Sequence, residues 1–163
     1  MGEIKHVVHP FLPIYDENSE ILILGSFPSV ISREKNFYYA NKNNRFWKVM
    51  SILFQEDIQD KAEFCLKHHI ALWDVIHSCE IIGSSDSSIS NVIVNGIESL
   101  ILKTNIRKIF FTGKKAEELY KKYIDCDIAY VGLPSTSSAN AKMHLDDLIR
   151  EYQIILETLN EKS

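Results

Sequence analysis

Residues 21–48 read ILILGSFPSVISREKNFYYANKNNRFWK, and the interpretation of the rest of the chain starts from this stretch. It opens with the apolar run 21–24, and continuous rather than alternating hydrophobicity is typical of a parallel strand that is buried on both faces. A short loop follows, and then three consecutive aromatic residues among five cations and a single acid. Because the chain as a whole carries a net charge of -4, this local concentration predicts a strand that leads into a binding site.

Three further apolar runs resemble the first. They cover residues 70–76, 107–113 and 128–133, with amphipathic stretches between them. This alternation predicts an α/β fold in which helices cover both faces of a parallel sheet joined by right-handed crossovers. Apolar residues at helical spacing predict helices after Asn44 and near the C-terminus, and Gly-Lys-Lys at 113–115 predicts the start of another.

Length and composition indicate one globular domain over residues 1–163, with 45% hydrophobic and 25% charged residues. No apolar run reaches the roughly 20 residues that cross a bilayer, and the N-terminus lacks a secretory signal pattern. We therefore expect a cytoplasmic protein without membrane contact, and a monomer with no obligate protein partner. Cys65, Cys79 and Cys126 are widely spaced, which argues against a disulfide framework or a metal site.

Three polar loops are predicted to follow strands: GSFPS at 25–29, GSSDSS at 83–88 and LPSTSSANA at 133–141. In open parallel sheets, ligands bind in the crevice beyond the carboxyl ends of the strands. Small and hydroxyl-bearing residues let backbone N–H groups approach an anion or a base edge closely. No loop matches a P-loop or a dinucleotide-binding motif. Together the loops predict a site for a phosphate-bearing ligand.

Aromatic and basic residues follow the first loop. Phe37, Tyr38 and Tyr39 offer stacking surfaces, and the neighbouring cations are Arg33, Lys35, Lys42, Arg45 and Lys48. This mixture is typical of nucleic-acid sites. A pI near 5.9 argues against a general polyanion binder, so the contact must come from this local patch.

Some polar residues have both a structural and a functional interpretation. Asn44 precedes an apolar helix and could simply be its N-cap, a role that Asn43 could also take. Asp74 ends a buried run and Asp86 lies in the Ser-rich loop, so each could be a structural acceptor or one half of a carboxylate pair.

The segments ILILGSFPS, FYYANKNNRFWKV, ALWDV, FFTGKKA and LPSTSSANA together resemble the hypoxanthine-DNA (deoxyinosine) glycosylase branch of the uracil-DNA glycosylase superfamily. The likeness runs from about residue 8 to residue 153. It implies a three-layer α/β/α sandwich with a four-stranded parallel sheet, which agrees with the patterns above. It also implies a cofactor-free repair enzyme whose partner is DNA containing a deaminated base.

The resemblance assigns roles to residues. The first loop would wrap a flipped base through Gly25, Ser26, Phe27, Pro28 and Ser29. Tyr39 would stack on that base, and Asn44 would be the catalytic polar residue. Arg45 and Lys48 are cations placed for DNA phosphates. The loop at 133–141, which we call the second loop, would press on the DNA backbone through Ser135, Thr136, Ser137, Ser138 and Asn140.

Two departures from the superfamily pattern sharpen this prediction. Phe27 stands where most members hold an Asp or Asn that positions the attacking water, and a phenyl ring makes no such hydrogen bond. Leu133 stands where the uracil-specific branch has a His. Catalysis is therefore assigned to Asn44, and the preferred substrate moves from uracil towards hypoxanthine.

The sequence thus predicts a monofunctional DNA glycosylase for hypoxanthine, because no lysine has the setting of a Schiff-base nucleophile. One alternative is a uracil or mismatch-specific glycosylase on the same fold. The other is a catalytically inert binder of damaged DNA or of a nucleotide, which the loss of both usual catalytic side chains makes plausible.

Overall fold

The computed structural model describes residues 3–161. None of the helices in that range combines the length and the apolarity needed to cross a membrane. The strands are β1 (Ile4–Val8), β2 (Ile21–Gly25), β3 (Ile70–Asp74), β4 (Ile76–Ile82), β5 (Ser90–Val94), β6 (Lys108–Thr112) and β7 (Ala129–Leu133). The helices are α1 (Val30–Lys35), α2 (Phe46–Phe54), α3 (Lys61–Lys67), α4 (Ile97–Leu102), α5 (Lys114–Tyr123) and α6 (Leu145–Asn160).

A four-stranded parallel sheet forms the centre, in the order β3-β2-β6-β7. All four of its strands were predicted from their apolar runs, and the predicted fold class is confirmed. The run Ile21–Leu24 is completely buried. Ile21 and Ile23 belong to the hydrophobic cluster on one face of the sheet, and Leu22 and Leu24 to the cluster on the other. Both faces of β2 need apolar side chains, and this is why its sequence does not alternate.

Helices cover both faces of the central sheet. Buried residues of α2, α3 and α6 belong to the first cluster, and those of α4 and α5 to the second. The predicted helices after Asn44, after Gly113 and near the C-terminus correspond to α2, α5 and α6. In α2 the four residues that predicted the helix are all buried, namely Phe46, Val49, Met50 and Leu53.

A second, antiparallel sheet in the order β1-β4-β5 was not predicted. The predicted run 70–76 is in fact divided: β3 ends at Asp74, and β4 begins at Ile76 in the other sheet. The Ser-rich segment 83–90 therefore does not follow a parallel strand. It joins β4 to β5 through a short 3-10 helix at Asp86–Ser88, and Ser90 already belongs to β5. Hydrophobicity continues across the division because Val75 and Ile76 are buried in the second cluster.

Phe110 lies at the middle of β6 and is completely buried. We expect Phe110→Ala to lower the free energy of unfolding by about 3–5 kcal/mol, through lost burial and the cavity left behind. Leu102→Ala is the matched control, since that side chain is 86% exposed and should change stability little. Urea unfolding monitored by circular dichroism measures both. Equal changes in the two variants would contradict the burial described for β6.

Candidate active site

A cavity of about 160 Å³ opens at the carboxyl edge of the parallel sheet. This is smaller than the roughly 300–1,000 Å³ pockets that hold drug-sized ligands, and it suits one flat ring system. Its lining comes from all three predicted loops and from the segments around them: Gly25, Ser26, Phe27, Pro28, Ser29, Ser32, Tyr38, Tyr39, Asn44, Asp74, Ser84, Asp86, Thr112, Ser135, Thr136 and Ser137.

The first loop is attached to the end of β3. The Val75 N–H donates to the Gly25 carbonyl at 2.8 Å, and the Ile76 N–H donates to that of Ser26 at 3.1 Å. Glycine is required at position 25, because a Cβ there would lie 2.5 Å from Asp74 Oδ1. At the other end of the loop, the Ser29 hydroxyl caps α1 by accepting the Ser32 N–H at 3.2 Å. The loop is thus held at both ends.

Phe27 forms part of the cavity wall. The Arg33 guanidinium carbon lies 5.4 Å from the centre of its ring, and the His9 ring meets it edge to face at 5.9 Å. Arg33 in turn donates to the carbonyl oxygens of Pro28 at 3.3 Å and Gly83 at 3.1 Å. Phe27 therefore contributes shape and an apolar surface, and no hydrogen bond.

Asn44 has a defined amide orientation. Its side-chain oxygen accepts the Phe46 N–H at 2.9 Å and the Thr136 hydroxyl at 2.8 Å. A backbone N–H can only donate, so the atom that faces it must be the oxygen. Nδ2 has no acceptor among residues 3–161, and it is left open to the cavity that Asn44 lines. The N-cap of α2 is Arg45 and not Asn44, so the capping prediction is wrong in its strict form. Asn44 still accepts the first backbone N–H of the helix and keeps a donor that is not used within the described residues.

Arg45 holds the second loop in place. Its guanidinium donates to the carbonyl oxygens of Ser137 at 2.8 Å, Asn140 at 3.2 Å and Thr136 at 3.4 Å, and also to that of Met143. Four of the five N–H donors of an arginine are then used inside the protein. One N–H donor of Arg45 is left for the predicted contact with a DNA phosphate, whereas the other four bind the second loop and Met143.

Tyr39 stacks on a neighbouring ring of the protein. Its ring lies 4.0 Å from that of Phe46, at an interplanar angle of 18°. Its hydroxyl is 3.0 Å from the Thr112 hydroxyl. Burial, and after it the negative charge of Asp74, raise the pKa of the Tyr39 phenol well above its ordinary value. The Tyr39 hydroxyl is therefore neutral at neutral pH. Phe46 already covers one face of the ring, and stacking of Tyr39 on a base stays a prediction.

The structure brings both candidate carboxylates, Asp74 and Asp86, to the cavity. Asp86 arrives from the connection between β4 and β5, and the Ser26 hydroxyl donates to it at 3.3 Å. Burial raises the pKa of the Asp86 carboxyl, while the Ser26 hydrogen bond and the charge of Lys115 oppose the shift. Asp74 arrives from the end of β3 and is only 4% exposed.

The predicted site residues fall into two groups. Ten of them line the cavity, namely Gly25, Ser26, Phe27, Pro28, Ser29, Tyr39, Asn44, Ser135, Thr136 and Ser137. The other four, Arg45, Lys48, Ser138 and Asn140, do not line it. Lys48 and Ser138 are exposed, whereas the Asn140 amide donates within the second loop to the Ser135 carbonyl at 3.0 Å.

His9 and Thr112 were missed by the sequence analysis. His9 lies 65 positions from its partner Asp74, and no motif spacing connects two residues so far apart. Thr112 could have been found, because it ends a predicted strand at the carboxyl edge where site residues collect.

Comparison with known proteins gives a consistent family. Residues 12–159 match the family model described as "Uracil DNA glycosylase superfamily". A protein of Methanosarcina acetivorans named "Hypoxanthine DNA glycosylase" is 39% identical over 140 residues, which cover 81% of this chain and 87% of that protein. A protein of the same name from Methanosarcina barkeri is 35% identical over 114 residues, 66% of this chain and 72% of that protein.

A solved structure is also similar. The solution NMR structure of a candidate uracil DNA glycosylase from Methanosarcina acetivorans superposes with a TM-score of 0.77 at 33% sequence identity. The superposition covers 93% of this chain and 97% of that one.

Arg45→Lys tests the role of the guanidinium in the second loop. A lysine cannot reach all four carbonyls, and we expect the free energy of unfolding to fall by about 2–4 kcal/mol as part-buried acceptors lose their donors. Arg150→Lys is the matched control, since the Arg150 side chain is 76% exposed and makes one 3.5 Å ion pair. Urea unfolding compares the variants. No difference between them would show that the loop is not held through Arg45.

Proposed function

The chain belongs to the uracil DNA glycosylase superfamily, and we propose that it is a monofunctional DNA glycosylase that removes hypoxanthine from deoxyinosine in DNA. The comparisons confirm the resemblance predicted from the sequence, both to the superfamily and to its hypoxanthine-DNA glycosylase branch. Two relatives that together span most of the chain carry the name "Hypoxanthine DNA glycosylase", which supports hypoxanthine as the base.

The proposal rests on the side-chain NH2 group of Asn44, which makes no hydrogen bond within the described residues. The cavity has room for one flipped base, and enzymes that act on a base take it out of the stack into such a pocket. Two hydrogen bonds hold the Asn44 amide, so it can orient a water molecule or the sugar without rearranging. Asn43, the alternative considered from the sequence, is exposed and does not line the cavity.

In the proposed reaction the bond between C1′ and N9 of the purine breaks, and the base leaves with the bonding electrons. Water forms the new bond to C1′ and gives up a proton, and the base gains one, so the products are free hypoxanthine and an abasic sugar. Positive charge develops on the sugar in the transition state, where the DNA phosphates stabilise it. The main task of the protein is then to position the reacting groups, and no strong base is needed. The Asn44 amide is sufficient for that positioning.

A monofunctional reaction is supported by the cavity lining. A glycosylase that also cuts the strand needs an amine nucleophile beside the sugar. No lysine lines the cavity within residues 3–161. The product is therefore an abasic site in an intact strand.

The direct experiment uses a duplex with one deoxyinosine, incubated with the purified protein and analysed on a denaturing gel with and without alkali. We expect strand scission only after alkali. Intact strands at enzyme excess would overturn the proposal. Parallel duplexes with G·U and A·U pairs test the uracil alternative, and retained affinity without an abasic product would indicate an inert binder.

Substitutions at and around Asn44 test its role in the reaction. Asn44→Ala should lower the single-turnover rate by about a hundredfold or more, which is the usual effect of removing a positioned donor. Thr136→Val should cost about tenfold, because it removes one of the two hydrogen bonds that orient the amide. Asn43→Ala is the control and should react at the wild-type rate. Equal rates for Asn44→Ala and the control would remove Asn44 from the mechanism.

A further inference from the structure

A carboxylate that the proposed reaction leaves unused lies at the mouth of the cavity. Asp86 lines the cavity and belongs to the connection between β4 and β5 of the antiparallel sheet. Asp86 is exposed, whereas Asp74 in the same lining is only 4% exposed, so the cavity opens to solvent on the Asp86 side. The Ser26 hydroxyl donates to Oδ1 of Asp86 at 3.3 Å. Within residues 3–161, Oδ2 accepts no hydrogen bond and neither oxygen forms an ion pair.

The connection between β4 and β5 is fastened to the segment after the first loop. The Ser84 hydroxyl accepts the Val30 N–H at 2.9 Å. Arg33 donates to the Gly83 carbonyl oxygen at 3.1 Å. The Ser88 hydroxyl donates at 2.7 Å to a carbonyl oxygen within the connection itself. The carboxyl group at the mouth is therefore held before any ligand binds, and a catalytic group on a fixed support does not have to reorganise during the reaction.

The chemistry of DNA restricts what the unused oxygen of Asp86 can contact. An ionised carboxylate only accepts hydrogen bonds, and a deoxyribose inside a strand has no hydroxyl group to donate one. The donors that remain are the N–H groups of a base and water. A base that flips into the cavity enters with the edge that is farthest from the sugar, so C1′ stays near the mouth. Asp86 is therefore placed on the sugar side of the base, where water attacks C1′.

Building on the proposed function, we propose that Asp86 is a second catalytic residue, whose carboxylate holds the attacking water beside C1′ and accepts the proton that this water gives up. Asn44 offers a side-chain donor and Asp86 an acceptor, so a water molecule between them can make both kinds of hydrogen bond. The carboxylate also places a negative charge near the sugar, on which positive charge develops. Phe27 cannot take this role, because a phenyl ring makes no such hydrogen bond.

Each proton and electron pair of this step can be followed. The bond between C1′ and N9 breaks, and the base leaves with the bonding electrons. A lone pair of the water oxygen forms the new bond to C1′, and the water proton that faces Oδ2 passes to Asp86. Asp86 then releases this proton to solvent, and the departing base takes one from solvent. A strong base is not needed, because the water becomes acidic once its oxygen bonds to C1′.

The charges around Asp86 set both its pKa and its effect on DNA. The charged and titratable groups around it belong to α1, to α5 and to the cavity lining, namely Arg33, Lys115, Asp74, Tyr38 and Tyr39. Burial raises the pKa of the Asp86 carboxyl group, whereas the Ser26 hydrogen bond and the positive charge of Lys115 act in the opposite direction. A negative charge at the mouth repels DNA phosphates. The proposed benefit of Asp86 is therefore in the rate of excision and not in the binding of DNA.

Asp86→Asn tests this role, because the amide oxygen can still accept the Ser26 hydrogen bond but takes up no proton. In single-turnover assays with the deoxyinosine duplex, we expect excision about a hundredfold slower than wild type, which is typical for the loss of a catalytic base. The affinity for a duplex with 2′-fluorodeoxyinosine, which resists cleavage, should instead rise as a negative charge is lost. A wild-type rate in this variant would overturn the inference, and so would parallel losses of rate and affinity.

The pH profile gives a second measurement. Because the proposed base acts as a carboxylate, the wild-type single-turnover rate should fall as the pH drops through the raised pKa of Asp86. Asp86→Asn should lack this decrease on the acid side. Ser26→Ala removes a hydrogen bond that lowers the pKa, so the decrease should begin at a higher pH. The same acid-side decrease in Asp86→Asn and wild type would assign the titration to another group and overturn the inference.

Asp125→Asn is the matched control, since Asp125 is exposed, carries the same charge and does not line the cavity. This variant should excise hypoxanthine at the wild-type rate. Asp86→Glu keeps a carboxylate and should recover part of the rate that Asp86→Asn loses. Absence of any excision by the wild-type protein would reject the proposed function and this inference with it. Excision by the wild-type protein and by Asp86→Asn at equal rates would reject the inference alone.

Discussion

The register of β2 between β3 and β6 is the constraint on which the site depends. It sets Gly25 beside Asp74 and Leu24 beside Phe111, so that Thr112 follows at the same edge. A shift of one residue would turn every side chain of β2 to the opposite face. Apolar packing on both faces opposes such a shift, because Ile21 and Ile23 belong to one cluster and Leu22 and Leu24 to the other. The core thus sets the positions of the Asp74 carboxyl group and the Thr112 hydroxyl beside Gly25.

A second dependence joins the start of α2 to the second loop. Arg45 and Asn44 lie at the start of α2, and they hold the second loop through its carbonyl groups and through the Thr136 hydroxyl. Of these hydrogen bonds, the one from the Thr136 hydroxyl also orients the Asn44 amide. Loop geometry and the placement of the proposed catalytic donor are therefore one arrangement, and a change in the loop would be felt at Asn44.

Much of this arrangement was readable in the sequence. Continuous apolar runs predicted the four parallel strands, helical spacing predicted α2 and α6, and the resemblance pointed to the loops that line the cavity. The local pattern gave a wrong prediction for the apolar run 70–76, which contributes residues to two sheets. Val75 and Ile76 are buried like the residues before them, so hydrophobicity did not reveal that the chain leaves the parallel sheet after Asp74. The antiparallel sheet and the route of Asp86 into the cavity were hidden for the same reason.

Periodicity and short contiguous motifs were sufficient to identify the class of fold, the family and the residues that could carry chemistry. Which of these residues meet is visible only in the three-dimensional arrangement. The sequence left two interpretations of Asn44 open, and the structure adds that its oxygen accepts from the Phe46 N–H and the Thr136 hydroxyl while its nitrogen stays free for the proposed catalytic role. The pairing of His9 with Asp74 joins residues 65 positions apart, and such a contact is created by packing rather than by any local pattern.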